Sequence, residues 1–552
     1  MNPVDSAEQF KNWHSMGSLS FQASNGIIWP TYVVLLLSAS AVAYWKRDSK
    51  TFLSANGTQK ALPLAFNFVA SGLGCGVLSA YPQIANIDGL HGLLVYALAG
   101  GLPMFLFAFL GHIIRKKTPN GFVLTEWVFH RFGLLTGWYL GACTILTVFL
   151  FMVSEVASLK YAIETIAGIK ALPVIIIECV VTTIYTTIGG FHISFITDTL
   201  QVSVVFVLLI IVACAMGKYV HIDSSMIEPS GLLKANKLGW QLVYILTFAI
   251  FTNDFLMIGC SIACVILVVF VTVIGVTGFI AVWAGLISVA DEENSGAAFF
   301  ILLAQLPSWV MGFTLVFVVV LSTCTLDSLQ SALVSSVSND VFRNKIPIMY
   351  VRGLVLLVMV PVVVVGLIAE DVLSIYLIVD LLSSSVVPVL VFGLSKRFEK
   401  YWTGWEVVGG GLGGILATWI FGTVYYDSPE EGGKLLLITN GLYADDWGTF
   451  GAFVVAPFGG IAFGFFIMLI RLACVKLYSN KDGVFHRSAN KVGAVTGITG
   501  LHRFYRHWED RLITRSNVEV VNETESLTLQ NTTTLDKKQS AVDTYQSTLF
   551  AE

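Results

Sequence analysis

Charge is scarce in this sequence. Only 12% of its 552 residues are Asp, Glu, Lys or Arg, while 55% are hydrophobic. A soluble protein carries about twice that charge, so a soluble globular chain is excluded and a polytopic membrane protein is expected. Cysteine is missing from the loops expected outside. All eight cysteines (75, 143, 179, 214, 260, 264, 324 and 474) fall in or at the end of apolar runs. Neither a disulfide framework nor a paired-cysteine metal site is expected from that distribution. The opening MNPVDSAEQFKNWHSMGSLS lacks a basic stretch followed by an apolar one, so no cleaved signal peptide is expected. No catalytic constellation or cofactor motif stands out, which speaks against an enzyme, and no nucleic acid is expected as a partner.

What is present is apolar sequence in membrane-length pieces. About thirteen spans lie near residues 28–45, 62–84, 91–113, 134–158, 171–189, 195–217, 238–256, 260–285, 307–340, 349–369, 373–395, 405–425 and 449–474, each long enough to cross a bilayer as a helix. The fold class is therefore all-α. Lys and Arg collect in alternate loops, at Lys46, Arg47 and Lys50, at Arg115, Lys116 and Lys117, at Arg343 and Lys345, and at Lys396, Arg397 and Lys400. The opposite loops are acidic, with Asp291, Glu292 and Glu293, Glu370 and Asp371, and Glu430 and Glu431. Basic loops stay in the cytoplasm. The expected layout is an extracellular segment over 1–27, a transmembrane domain over 28–475 and a cytoplasmic, largely disordered tail over 476–552. The N-terminus lies outside and the C-terminus inside, in a multi-pass protein of the plasma membrane. The segment Thr118 to Gly133 sets Phe122, Trp127 and Phe129 beside charged residues and is expected along the membrane surface.

Two stretches depart from plain apolar helix. The run from Leu321 to Asp340 follows uncharged sequence beginning at Trp309. Ser322 and Thr323 then lie about 20 Å into the bilayer if both form one helix. Below them, Asp327, Gln330, Ser331, Ser335 and Ser338 continue one face at helical spacing. Paired hydroxyls at mid-depth suit a cation site, and they equally suit hydrogen bonding back to their own helix. The second span holds Gly72, Gly74 and Gly76 within five residues. Glycine there costs about 1 kcal/mol each against alanine, which favours a broken helix whose freed carbonyls line a site. Lone acids also stand inside spans, at Asp254 (after Asn253), Asp380, Glu155 and Glu178. Intramembrane acids mark function more often than not. Asp254 and Asp380 are the stronger candidates for substrate or proton contact. Glu155 fits the interface, and Glu178 fits a protonated acid.

The run Gly189-Gly-Phe-His-Ile-Ser-Phe-Ile-Thr-Asp-Thr-Leu-Gln201 resembles the GG-x-x-A-V-x-x-T-D-x-x-Q signature of the sodium/solute symporter family. The Leu321–Asp340 run resembles that family's S-T-x-x-S-x-L segment. The resemblance implies a five-plus-five inverted-repeat core with the second span as its first helix and the 307–340 span as its eighth. It implies a sodium ion held by the Ser322 and Thr323 hydroxyls and by the carbonyls of Val319, Ala70 and Leu73. Gly72 and Gly74 would adjoin the solute, and Gly189, Gly190, Asp198, Gln201 and Asp327 would shape the cytoplasmic gate. One branch of the family carries an essential Asp in the second span, where this chain has Gly72. The segment from Arg115 to Gly133 is similar to that of fungal and plant urea and polyamine permeases.

The expected function is uptake of a small polar solute, urea or a related nitrogen compound, coupled to Na+ or H+ by alternating access. The expected partners are that solute, a monovalent cation and the lipid bilayer, and no cofactor is implied. A transporter-like nutrient sensor and a passive facilitator are the alternatives. One feature stands apart from this pattern. From Leu238 to Gly285 the only charged residue is Asp254, and Phe255 to Ser261 must turn between two spans without a polar loop. Members of the family it resembles place about twenty more residues there; the loss of a piece of that size is the favoured explanation, and a tightly turned variant with Gly259 at the bend is the alternative.

Overall fold

The computed structural model describes residues 19–45, 69–117 except 71, 124–254, 261–342 except 292–293, 346–393 except 370, 398, 401–439, 442 and 446–479. The chain divides into two compact units, Met1–Cys474 and Val475–Glu552. Of the second, only 475–479 falls among the described residues. These residues form helices and turns and no strand.

The long elements are α1 (Phe21–Trp45), α2 (Cys75–Lys117), α4 (Leu134–Ala162), α5 (Ala171–Tyr219), α7 (Lys237–Asp254), α8 (Ser261–Trp283), α10 (Ser308–Ser336), α11 (Ile348–Ile368), α12 (Val372–Phe392), α13 (Gly404–Tyr425) and α15 (Gly448–Ser479). The short ones are α3 (Leu124–Phe132), α6 (Ser224–Ser230), α9 (Ala298–Leu303) and α14 (Pro429–Leu436). By length and composition, nine stretches among the described residues can cross a membrane. Each coincides with one of the thirteen expected spans. The other four fall on the two arms of α2, the first arm of α5, and α7. Each of these runs next to or into residues outside the described set, so thirteen is not established. The bare turn expected at Phe255–Ser261 lies outside the described residues as well, apart from Ser261 at the start of α8.

α2 is two helices in one. Gly89 takes φ 67° and ψ −155°, a left-handed φ that a side chain rarely adopts. A Cβ there would stand 2.1 Å from the Leu232 carbonyl. That carbonyl accepts the Leu90 N–H at 2.7 Å. The reversal therefore needs glycine twice over.

α5 is helical from end to end, yet it cannot be straight. Glu178 meets Thr323 on α10 at 3.5 Å, and Asp198 meets the next residue, Cys324, at 3.4 Å. Twenty residues of straight helix would hold those two acids about 30 Å apart. The chain must double back between them, and the sequence places a turn within that interval at Gly189–Ser194.

α10 is the centre of the bundle, packed against α1, α4 and α5. Phe317, Val318 and Val319 have no exposed surface, and Ser322, Thr323, Thr325 and Asp327 are buried with them. α3 packs one face on the bundle: Trp127 and Val128 are buried in a cluster with Leu140, Val389 and Trp402.

Candidate functional site

The helix that leads into α2 breaks where the glycines cluster. Val69, Ala70 and Gly72 are helical, Leu73 and Gly74 are not, and helix resumes at Cys75. The resumed helix exposes N–H groups that no preceding turn satisfies. Glu155 of α4 takes two of them, accepting from Cys75 N at 2.7 Å and Gly76 N at 3.1 Å. A carboxylate at a helix N-terminus is favoured by charge and by hydrogen bonding together. The glycines make room for it: a Cβ on Gly74 would lie 2.0 Å from Glu155 Oε1, and one on Gly76 would lie 3.0 Å from it. Glu155 therefore does not sit at the membrane interface, as its place in the span suggested, but fully buried against the break.

On the other side of the break stands α10. The carbonyls of Ala70 and Leu73 both accept from Thr325 Oγ1, each at 3.0 Å. Those two carbonyls do meet α10, but the hydroxyl they meet is Thr325, which the sequence reading passed over. Thr323 Oγ1 donates to its own helix at Val319 O, 2.6 Å away, and points to Glu178 Oε1 at 3.5 Å. Cys75 Sγ lies 3.5 Å from Val318 O. Ser322 stands beside Cys75 and Glu178. Ser322 Oγ, Glu178 Oε2 and Tyr32 Oη have no hydrogen bond of good geometry among the described residues. All three side chains are 2% exposed or less. Such orphans cost about 1–3 kcal/mol each when nothing fills the gap. Hydroxyl, carbonyl and carboxylate oxygens in one place suit a hard cation.

A second set of groups extends from the break. The Tyr376 hydroxyl lies beside Glu155, since a Cβ on Gly76 would stand 2.1 Å from the one and 3.0 Å from Oε1 of the other. Tyr81 packs at a tilt against Tyr96 with ring centroids 4.5 Å apart. Asp380 is buried in α12.

The remaining expected residues are placed as follows. Asp198 is fully buried and holds Cys324 Sγ at 3.4 Å and Ser328 Oγ at 3.3 Å. Gln201 is buried on the same helix arm, and Asp327 is buried on α10. Gln330 joins the two helices by donating to Thr182 Oγ1 at 3.1 Å. Gly72 lies at the end of the first half-helix, where a Cβ would stand 2.9 Å from Leu267 Cδ1. Gly189 and Gly190 fall in α5, and Asn253 and Asp254 end α7, but the side chains of 187–197 and 246–265 lie outside the described set. Among the described residues no group of three or more His, Cys, Asp or Glu forms a metal-holding cluster.

A helical membrane bundle with one helix broken against its most buried neighbour is the architecture of a multi-pass solute transporter. Residues 52–273 match the sodium:solute symporter family. A spermidine transporter of Candida albicans is 53% identical over 487 residues, covering 85% of this chain and 93% of that one. A probable urea active transporter of Schizosaccharomyces pombe is 28% identical over 171 residues, covering 30% of this chain and 24% of that one. The substrate-bound, outward-open structure of a Na+-coupled sialic acid symporter aligns with a TM-score of 0.62 at 13% identity, covering 81% of this chain and 97% of that one. The likeness to that structure is one of fold. The chain belongs to the sodium:solute symporter family.

Proposed function

We propose that this chain imports a polyamine across the plasma membrane, driven by an inward gradient of Na+ or H+. The observation that carries the reading is the 53% identity to a spermidine transporter over 85% of this chain. The acids Glu155 and Asp380, buried in the same bundle as Tyr81, Tyr96 and the half-buried Tyr376, suit a cationic solute better than neutral urea. Tyrosine faces add cation–π attraction, about 0.5–2 kcal/mol for a desolvated cation.

The coupling cation binds at the break, with Ser322, Thr323, Val319, Ala70 and Leu73 as its ligands. It favours the outward-open state, because only differential affinity between two states can couple two binding events. Asn253, Asp254 and Asp380 adjoin the solute. Asp198, Gln201 and Asp327 hold the inner gate, with Gly189 and Gly190 at its turn. The N-terminus faces outside and the tail faces the cytoplasm. Urea is the second reading, supported by the segment from Arg115 to Gly133 and by the probable urea transporter among the relatives.

Radiolabelled spermidine and urea, each supplied with and without Na+ and at two external pH values, separate the two. Saturable spermidine uptake that collapses with the cation gradient is expected. Gradient-driven urea uptake without spermidine uptake would replace the polyamine reading.

A further inference from the structure

Two acids flank the broken helix, and their surroundings differ. Glu155 is satisfied, since both its oxygens accept backbone N–H groups of the resumed helix. Glu178 is not. Its Oε1 has Thr323 Oγ1 at 3.5 Å, a marginal bond, and its Oε2 has no partner of good geometry among the described residues. The described ion pairs involve Lys434 and Arg471 and leave Glu178 out. Ser322 stands within hydrogen-bonding reach of it, although Ser322 Oγ makes no bond of good geometry among the described residues, and the Tyr32 phenol, likewise without one, and the thiols of Cys75 and Cys179 are in the same neighbourhood. Glu178 itself has no exposed surface. A carboxylate buried without a counter-charge costs several kcal/mol; a proton or a bound cation removes that cost, and the hydroxyl and carbonyl oxygens gathered beside it favour the cation.

We propose that Glu178 is itself a ligand of the coupling cation, supplying from α5 the carboxylate that the second span lacks at Gly72, and that the ion is an alkali cation. The proposal rests on the Ser322–Thr323 reading of the coupling site. One carboxylate and one monovalent cation make the buried site electrically neutral, while hydroxyl and carbonyl oxygens complete a hard shell. Tyr32 of α1, buried and with no hydrogen bond of good geometry for its phenol among the described residues, is in the neighbourhood of Glu178 and Cys75.

The test uses the full chain, purified and free of solute. Its thermal midpoint is followed as NaCl replaces choline chloride at constant ionic strength and pH, and spermidine binding without Na+ is measured alongside. Wild type should show a saturable, Na+-specific rise. Glu178→Gln should raise the half-saturating Na+ concentration at least tenfold, with spermidine affinity in the absence of Na+ kept within a factor of two. Glu178→Asp, which keeps the charge on a shorter arm, should fall between them. If Glu178→Gln fails to fold, the Asp variant decides: weakened Na+ binding supports the assignment, and wild-type binding overturns it. Unchanged Na+ binding in Glu178→Gln overturns it, as does loss of spermidine binding with the Na+ response intact, which would make Glu178 a solute ligand. A wild-type protein with no Na+ response also overturns it and leaves the polyamine reading standing. The reverse result, Glu178-dependent Na+ binding without polyamine binding, keeps the ligand and discards the solute.

Discussion

Gly74 and Glu155 depend on one another, and only half of that dependence was legible. Three glycines at mid-depth announced a break. Nothing in the order of residues said that an acid eighty positions later would dock on it, because the attraction comes from N–H groups that exist only once the helix has restarted. Gly74→Ala should destabilise the protein by at least about 1–3 kcal/mol, the usual cost of overpacking, since its Cβ would fall 2.0 Å from Glu155 Oε1. In the Glu155→Ala background the same change should cost less, because the atom it strikes is gone. Thermal unfolding of the four proteins checks this, and strict additivity would contradict it. Thr325 was missed for a similar reason. It is one of several hydroxyls on a helix rich in them, and its two carbonyl partners lie about 250 residues away. Thr325→Val keeps the shape and removes the donor, so the Ala70 and Leu73 carbonyls lose it. A loss of about 1–3 kcal/mol is expected from unfolding measurements.

At the scale of elements, apolar length was the reliable signal and the route of the chain between spans was the weak one. Among the described residues, nine membrane-length helices fall on nine of the expected spans. The reversal within α5 was legible as a glycine-containing motif, although the chain stays helical through it. The buried face of α3, with Trp127 and Val128 seated among Leu140, Val389 and Trp402, was not legible, because aromatic residues beside charges do not say which of them meet the protein. One element carries a sharp prediction. Thr403 caps α13 together with Glu406, which is fully buried and pairs with Arg471 of α15 at 2.7 Å. Arg471→Ala would leave that carboxylate buried and unpaired, at a cost of about 3–5 kcal/mol. Thermal unfolding should show the loss, and Glu406→Gln in the same background should recover part of it. No change in Arg471→Ala would show that the pair is fully solvated.

For the whole molecule, the orientation we propose rests on the distribution of Lys and Arg and not on the packing of helices. A cysteine placed at Glu430 should react with an impermeant reagent in intact cells, whereas one near Lys538 should react only after permeabilisation. Equal labelling at both sites would overturn the assigned sides. Solute class was the least legible property. On the polyamine reading it turns on acids and tyrosines from α2, α4 and α12, which no local pattern brings together. The most direct test of cation-driven polyamine import is spermidine accumulation in proteoliposomes with a Na+ or H+ gradient imposed or abolished, using wild type and Ser322→Ala/Thr323→Ala. Gradient-dependent accumulation by wild type, lost in the double variant at equal protein incorporation, is the predicted result. Accumulation that ignores every gradient, or a double variant that keeps its full ion dependence, would contradict it.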